Sequence, residues 1–291
     1  MVKPMLQTIE VQPKTEIPVF RIIRIEPPRG WVALKLPDLW EYRELLYFLV
    51  WRDLKVRYKQ TIIGVGWVVI QPLVSMVIFT VIFGHFARIP SDGLPYPIFA
   101  YCALLPWNYF AMALNRCIVS VVGEAHLISK VYFPRLILPL AGTVSGIVDF
   151  SISFLLLGGM MAWYGIAVTW WILAVPPFLL FALFTAFAVG LWLSALNVRY
   201  RDVGYTVPFL IQIWMFLSPV VYPVSMIPEQ YRLLYSLNPM VGVIEGFRWA
   251  LLGKEIPDFS VMAVSAVVVA MLLAGGLVFF KNMERTFADI V

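Results

Sequence analysis

In the hydrophobic pattern, the charged run Arg52-Asp53-Leu54-Lys55-Val56-Arg57-Tyr58-Lys59 is followed by no Asp, Glu, Lys or Arg until Arg88. An uncharged stretch of that length covers the roughly 30 Å hydrocarbon core of a bilayer as a tilted helix, and the cations at its start mark the cytoplasmic side. Five further apolar blocks follow, at residues 98–122, 136–164, 168–196, 205–221 and 260–280. Each is long enough or nearly long enough to cross. The pattern predicts an all-α integral membrane protein of six transmembrane helices, with both termini cytoplasmic. Two shorter pieces, 225–237 and 240–252, separate the fifth and sixth spans; they are interrupted by Pro228 and Asn238-Pro239 and carry Glu229, Glu245 and Arg248. Pieces that short predict a re-entrant or interfacial helical hairpin.

Ahead of the first span, Asp38 reads as an N-cap with Glu41 three residues on, opening a helix over 39–60 in which apolar residues alternate with Arg43, Glu44, Arg52, Asp53 and Lys55. This pattern predicts an amphipathic helix lying in the cytoplasmic interface. Only about sixty residues precede the membrane, too few to build a separate core. Residues 1–30 carry Pro13, Pro18, Pro27 and Pro28 and no apolar core, which predicts an extended arm and no cleaved secretory signal. The expected organisation is a cytoplasmic arm with its interfacial helix over 1–60 and a transmembrane domain over 61–291.

Composition changes the picture little. At 61% hydrophobic residues, 13% charged residues and a mean hydropathy of +0.84, the apolar surface exceeds what a soluble chain of 291 residues can bury. The net charge of +5 would suit nucleic acid, but 11 of the 22 Lys and Arg precede residue 60, so membrane topology accounts for the excess. No nucleic-acid partner is expected. Under the six-span topology Lys130, Arg135, Arg199, Arg201, Lys281 and Arg285 are cytoplasmic, against Arg88, Arg232, Arg248 and Lys254 outside, in keeping with the positive-inside rule.

Candidate chemistry is sparse. His85 and His126 fall in different loops, and no Cys/His/Asp/Glu cluster has metal-ligand spacing. No Ser stands in a nucleophile elbow and no carboxylate pair shares a span, so hydrolytic or glycosyl-transfer machinery is not visible. Without a G-x-x-x-x-G-K-[ST] loop, any ATP that drives transport binds another polypeptide. Cys102 and Cys117, fifteen residues apart on one helix, lie about 22 Å apart and cannot bridge.

Ionisable groups within spans cost about 2.5–3.5 kcal/mol each on insertion scales and are functional candidates by default. Here they are Arg116 and Asp149, on antiparallel neighbours that can pair, either for packing or for transport. One pair is too little for a proton relay, which counts against an ion-coupled carrier. Aromatics cluster near span ends, as an interfacial belt does. The sharper alternative is that Trp107, Tyr109, Phe110, Trp214 and Tyr222 line a passage for sugar rings. Gly142-Thr143-Val144-Ser145-Gly146 is a G-x-x-x-G step suited to close helix packing or dimerisation. In the loop after the second span, Glu124, His126, Leu127, Ile128, Ser129 and Lys130 read either as a short amphipathic helix docking into a partner's groove or as an interfacial turn.

Several strings, taken together and in order, resemble one family, the membrane permease subunits of ABC-2 type exporters of lipid-linked polysaccharides such as O-antigen, capsule and teichoic acid. They are Trp51-Arg52-Asp53-Leu54-Lys55-Val56-Arg57-Tyr58-Lys59-Gln60 with Gly64, Trp67 and Pro72; Leu105-Pro106-Trp107; Leu127-Ile128-Ser129-Lys130-Val131-Tyr132-Phe133-Pro134-Arg135 with Pro139; Asn197-Val198-Arg199-Tyr200-Arg201-Asp202-Val203; Leu217-Ser218-Pro219-Val220-Val221-Tyr222-Pro223; and Leu237-Asn238-Pro239-Met240 with Glu245 and Arg248. The resemblance implies a homodimer of six-span permeases in the cytoplasmic (inner) membrane, joined to two copies of a separate ATPase that holds the ATP and Mg. It implies that this chain binds no cofactor, and that residues 124–130 form the coupling helix seated on the ATPase. The interfacial helix would flank the entrance of the lipid-linked sugar, with Arg52, Lys55, Arg57 and Lys59 meeting the phosphate head group, or serving topology alone. Tyr231, Asn238, Glu245 and Arg248 would belong to an outer gate. Asp149 departs from the family pattern, where an uncharged polar residue is expected. Competing readings are an ABC-2 exporter of a small lipid or drug, an ion-coupled secondary carrier and a membrane-embedded transferase.

Overall fold

The computed structural model describes residues 36–59, 64–253 and 256–290, and every regular element among them is helical. The expected arm of residues 1–30 and the 60/61 boundary lie outside the described residues. In chain order the helices are α1 (Leu36–Glu41), α2 (Arg43–Lys59), α3 (Gly66–Phe79), α4 (Tyr96–Gly123), α5 (Ala125–Lys130), α6 (Ile137–Val144), α7 (Ile147–Trp163), α8 (Val175–Arg199), α9 (Asp202–Phe216), α10 (Glu229–Tyr235), α11 (Pro239–Leu252) and α12 (Phe259–Ile290). A π-helical segment, Thr80–Phe86, extends α3, and a 3-10 turn, Trp170–Ala174, leads into α8.

Among the described residues, five helical stretches are long and apolar enough to cross a membrane: Gly66–Phe86, Tyr96–Gly123, Ile137–Trp163, Trp170–Arg199 and Phe259–Phe287. The block expected as a fifth span folds as α9, whose 15 residues reach only about 22 Å before the chain turns at Leu217. Prolines at 219 and 223, which cannot continue a helix, follow that turn. The two short pieces expected after it fold as α10 and α11. Asn238 caps α11, accepting from the Met240 N–H at 3.1 Å, and Gly253 ends it in the left-handed region with φ of 66°.

The centre of the molecule is α4, packed against α8, α6, α11, α7, α3 and α9. Its core-facing side chains include Phe99, Tyr101, Leu104, Phe110 and Leu114, all buried. α12 lies along α8, where Trp192 donates to the Leu272 carbonyl at 2.9 Å and its ring stacks on Phe279. The G-x-x-x-G step brings α6 onto α4 within the chain: a Cβ at Gly142 would stand 3.1 Å from the Arg116 carbonyl, and one at Gly146 would stand 3.2 Å from the Tyr109 ring. By contrast α3 is little covered, with Ile70, Val74, Val77 and Ile78 turned outward, as befits a surface solvated by lipid or by another chain.

The helix before the membrane differs from the expected one. Asp38 falls inside α1, and the chain breaks at Tyr42 before α2 begins. α2 also has two apolar sides: Leu45, Leu46, Leu49 and Val50 pack on a core cluster with α6, while Tyr47, Phe48 and Trp51 point away from the chain.

Candidate functional site

Two sets of ion pairs fasten α2 to the core. Arg52 Nη1 donates to Glu124 at 3.0 Å, and its Nη2 reaches both Glu124 and Asp53. About 8 Å further along the helix, Arg57 and Tyr58 both donate to Asp149 at the start of α7. Arg116 on α4 completes that cluster, donating to the same carboxylate at 3.2 Å and to Ser145 Oγ at 2.8 Å. Asp149 thus accepts from three donors, with its side chain only 4% exposed. Convergence of this kind is what a carboxylate needs in order to stay charged away from water. Burial, followed by the hydrogen bond to Asp149, raises the Tyr58 phenol to about 12, so it remains a donor at any physiological pH. The Glu124 hydrogen bond likewise raises Arg52.

Above this floor a cavity of about 510 Å3 opens between α3, α4 and α7, bordered by Arg57, Arg116 and Asp149 below and by Trp67, Gln71, Asn108 and Asn115 along its walls. A smaller cavity of about 170 Å3 lies around Arg52, Glu124 and Arg116. Arg116 borders both.

The expected pairing of Arg116 with Asp149 is present, and Tyr58 and Arg57 join it, the former without any signal in the sequence. Of the four expected head-group cations, Arg52 and Arg57 are engaged inside the chain, while Lys55 and Lys59 are exposed. In the loop expected to couple, Ile128 is buried against the core and Leu127 packs beside it. Glu124 faces Arg52. What α5 presents outward is His126, Ser129 and Lys130, continued by the exposed Val131 and Tyr132. Beyond them Arg135 Nη1 donates to the Glu284 carbonyl and its backbone N–H to Glu284 Oε1 at 3.3 Å, so the loop is held from α12 as well.

The aromatic set expected to line a passage is largely inside the protein. Trp107, Tyr109 and Phe110 are 2%, 1% and 0% exposed, because α4 is the central helix and these rings fill its contacts. Trp107 and Phe110 meet Trp214 edge-on, with centroids 6.5 and 5.0 Å away, whereas Tyr109 turns to Phe150 and borders the cavity of about 510 Å3. Trp214 and Tyr222 keep partial exposure; Trp214 Nε1 donates to Asn238 Oδ1 at 3.0 Å, and the Tyr222 hydroxyl meets that of Tyr235 at 2.9 Å. Of the expected gate residues, Tyr231 is exposed and Asn238 ties α9 to α11. Arg248 is buried, stacked 3.7 Å over Phe99, paired with Glu245 at 3.1 Å and donating to the Val220 carbonyl at 3.2 Å. These contacts join α11 to α4 and to the turn after α9. Among the described residues no three His, Cys, Asp or Glu side chains stand together as a metal would require.

Residues 44–252 match the family described as ABC-2 type transporter. Over 258 residues, covering 87% of this chain and 98% of the relative, the sequence is 31% identical to the O-antigen export system permease protein RfbA of Myxococcus xanthus. It is 26% identical over 249 residues to the protein of the same name from Klebsiella pneumoniae, covering 85% of this chain and 95% of that one. The polysialic acid transport protein KpsM of Escherichia coli is 20% identical over 246 residues, 80% of this chain and 91% of the relative.

Proposed function

The chain belongs to the ABC-2 type transporter family, and from that premise we propose that it is the permease of an ATP-driven exporter carrying a lipid-linked, O-antigen-like polysaccharide across the cytoplasmic membrane. The observation that supports this most is the 31% identity with an O-antigen permease along 98% of that relative's length. In this reading the permease works as a homodimer of six-span subunits with both termini cytoplasmic, α9 completes a span together with the turn that follows it, and α10 and α11 form a hairpin at the outer side. Two copies of a separate ATPase bind the ATP and Mg. They seat on the outward side of α5, at His126, Ser129, Lys130 and Tyr132. Lys55 and Lys59, exposed at the end of α2, meet the phosphate of the lipid carrier, for which an ammonium group is a suitable partner.

Co-expression of the tagged chain with an ABC ATPase subunit from the same genome tests the reading. The expected outcome is a stable complex that hydrolyses ATP in lipid and restores surface polysaccharide to cells lacking the permease, with Lys130→Glu lowering assembly or turnover. A chain that purifies alone and moves solute along an ion gradient overturns it in favour of a secondary carrier.

A further inference from the structure

The cavity between α3, α4 and α7 contains polar groups that its ion pairs do not use. Asn108 and Asn115 stand seven residues apart on α4, hence on one face, and Gln71 comes to the same cavity from α3. Asn115 Nδ2 donates to the Ala111 carbonyl at 2.9 Å, which leaves its oxygen open. The amides of Asn108 and Gln71 make no hydrogen bond among the described residues. Gln71 is exposed and Asn108 and Asn115 are half-buried, so all three amides stay open to the space they border, and on apolar spans such groups face protein or a water-filled or ligand-filled space. A carboxamide offers a donor and an acceptor together, as a sugar hydroxyl does, whereas a phosphate accepts only. Trp67, 54% exposed, borders the same space and brings an aromatic surface to it. The volume, about 510 Å3, is that of a small-molecule site.

We infer that this cavity is a carbohydrate subsite, in which Gln71, Asn108 and Asn115 hydrogen-bond the hydroxyl groups of a sugar unit while Trp67 lies against its ring. The inference rests on the polysaccharide-permease reading above. It places the sugar contacts on the cavity face of α4, away from the buried Trp107 and Phe110. The guanidinium groups of Arg57 and Arg116, on the floor of the same cavity, are held by Asp149 and set the cytoplasmic end of the subsite.

The test uses the full permease with its ATPase in cells that make the polymer. Asn108→Leu/Asn115→Leu keeps the bulk and removes both amides; surface polysaccharide is expected to fall by about ten-fold or more, the loss of roughly one hydrogen bond or beyond. Export at the wild-type level overturns the subsite. A second measurement covers a double variant that fails to assemble: Asn108→Cys, in a chain whose buried cysteines are replaced as Cys102→Ala and Cys117→Ala, is labelled with a small thiol reagent in cells with and without polymer synthesis. Slower labelling in polymer-making cells supports the subsite, and equal rates overturn it, marking the amides as groups that face water or another helix. If the unaltered chain exports nothing, the permease reading itself has failed; if it exports while labelling is unchanged, only the subsite has.

Discussion

Asp149 shows how a single charge in an apolar span organises its surroundings. Its carboxylate draws donors from two other segments, Arg57 and Tyr58 from α2 and Arg116 from α4. Removing it would strand Arg116 in a partly buried site, and breaking a buried pair from one side costs about 3–5 kcal/mol, whereas replacing both partners by apolar groups is often close to neutral. We therefore expect Asp149→Leu to lower the unfolding temperature of the detergent-solubilised protein markedly, and Asp149→Leu/Arg116→Leu to recover most of the loss. A double variant as unstable as the single one would show that Arg57 and Tyr58, and not Arg116, are the partners that matter.

At the scale of elements, an ion pair ties α2 to the residue that precedes α5. Arg52 and Glu124 lie 72 residues apart in sequence and join the helix before the membrane to the start of the expected coupling loop. Arg52→Glu and Glu124→Arg should each reduce ATP-driven export, and the pair exchanged together should restore part of it, with a coupling of about 0.5–3 kcal/mol in a double-mutant cycle. Independent, additive losses would mean that the contact transmits nothing. The helices themselves were legible because hydropathy is local: the blocks at 98–122 and 168–196 agree closely with Tyr96–Gly123 and Trp170–Arg199. What was not legible is which side of a helix becomes covered. Trp107 and Phe110 look like passage aromatics until α9 and α11 close over α4, and Ile128 looks available for docking until it meets the core where α5 packs on α12. Arg57 reads as a cation for the head group or for topology because its partner, Asp149, lies 92 residues away. The amides at 108 and 115 share a seven-residue spacing in apolar sequence, and Gln71 joins them only where α3 lies beside α4.

For the whole molecule, sidedness decides the mechanism. In the proposed topology, Ser129→Cys on α5 faces the cytoplasm and Ser225→Cys, in the 3-10 turn Val224–Met226 before α10, faces outward. Cys102 and Cys117 are buried and give little background. A membrane-impermeant thiol reagent added to intact cells should label residue 225 and spare residue 129, with the order reversed in inside-out vesicles. Labelling of both positions from one side would place α9 and the helices around it on a single face of the membrane and would discard the six-span arrangement.

The sparse covering of α3 has a consequence for how the protein is made. This helix leaves the ribosome ahead of α4, α8 and α12, the helices that bury one another, and it gains little from them afterwards. Its commitment to the bilayer must therefore come from its own uncharged sequence and the cations behind it, a partitioning step settled before tertiary structure exists. Lesions in α3 should accordingly surface as failures of insertion, at a stage when lesions in α4 are still silent.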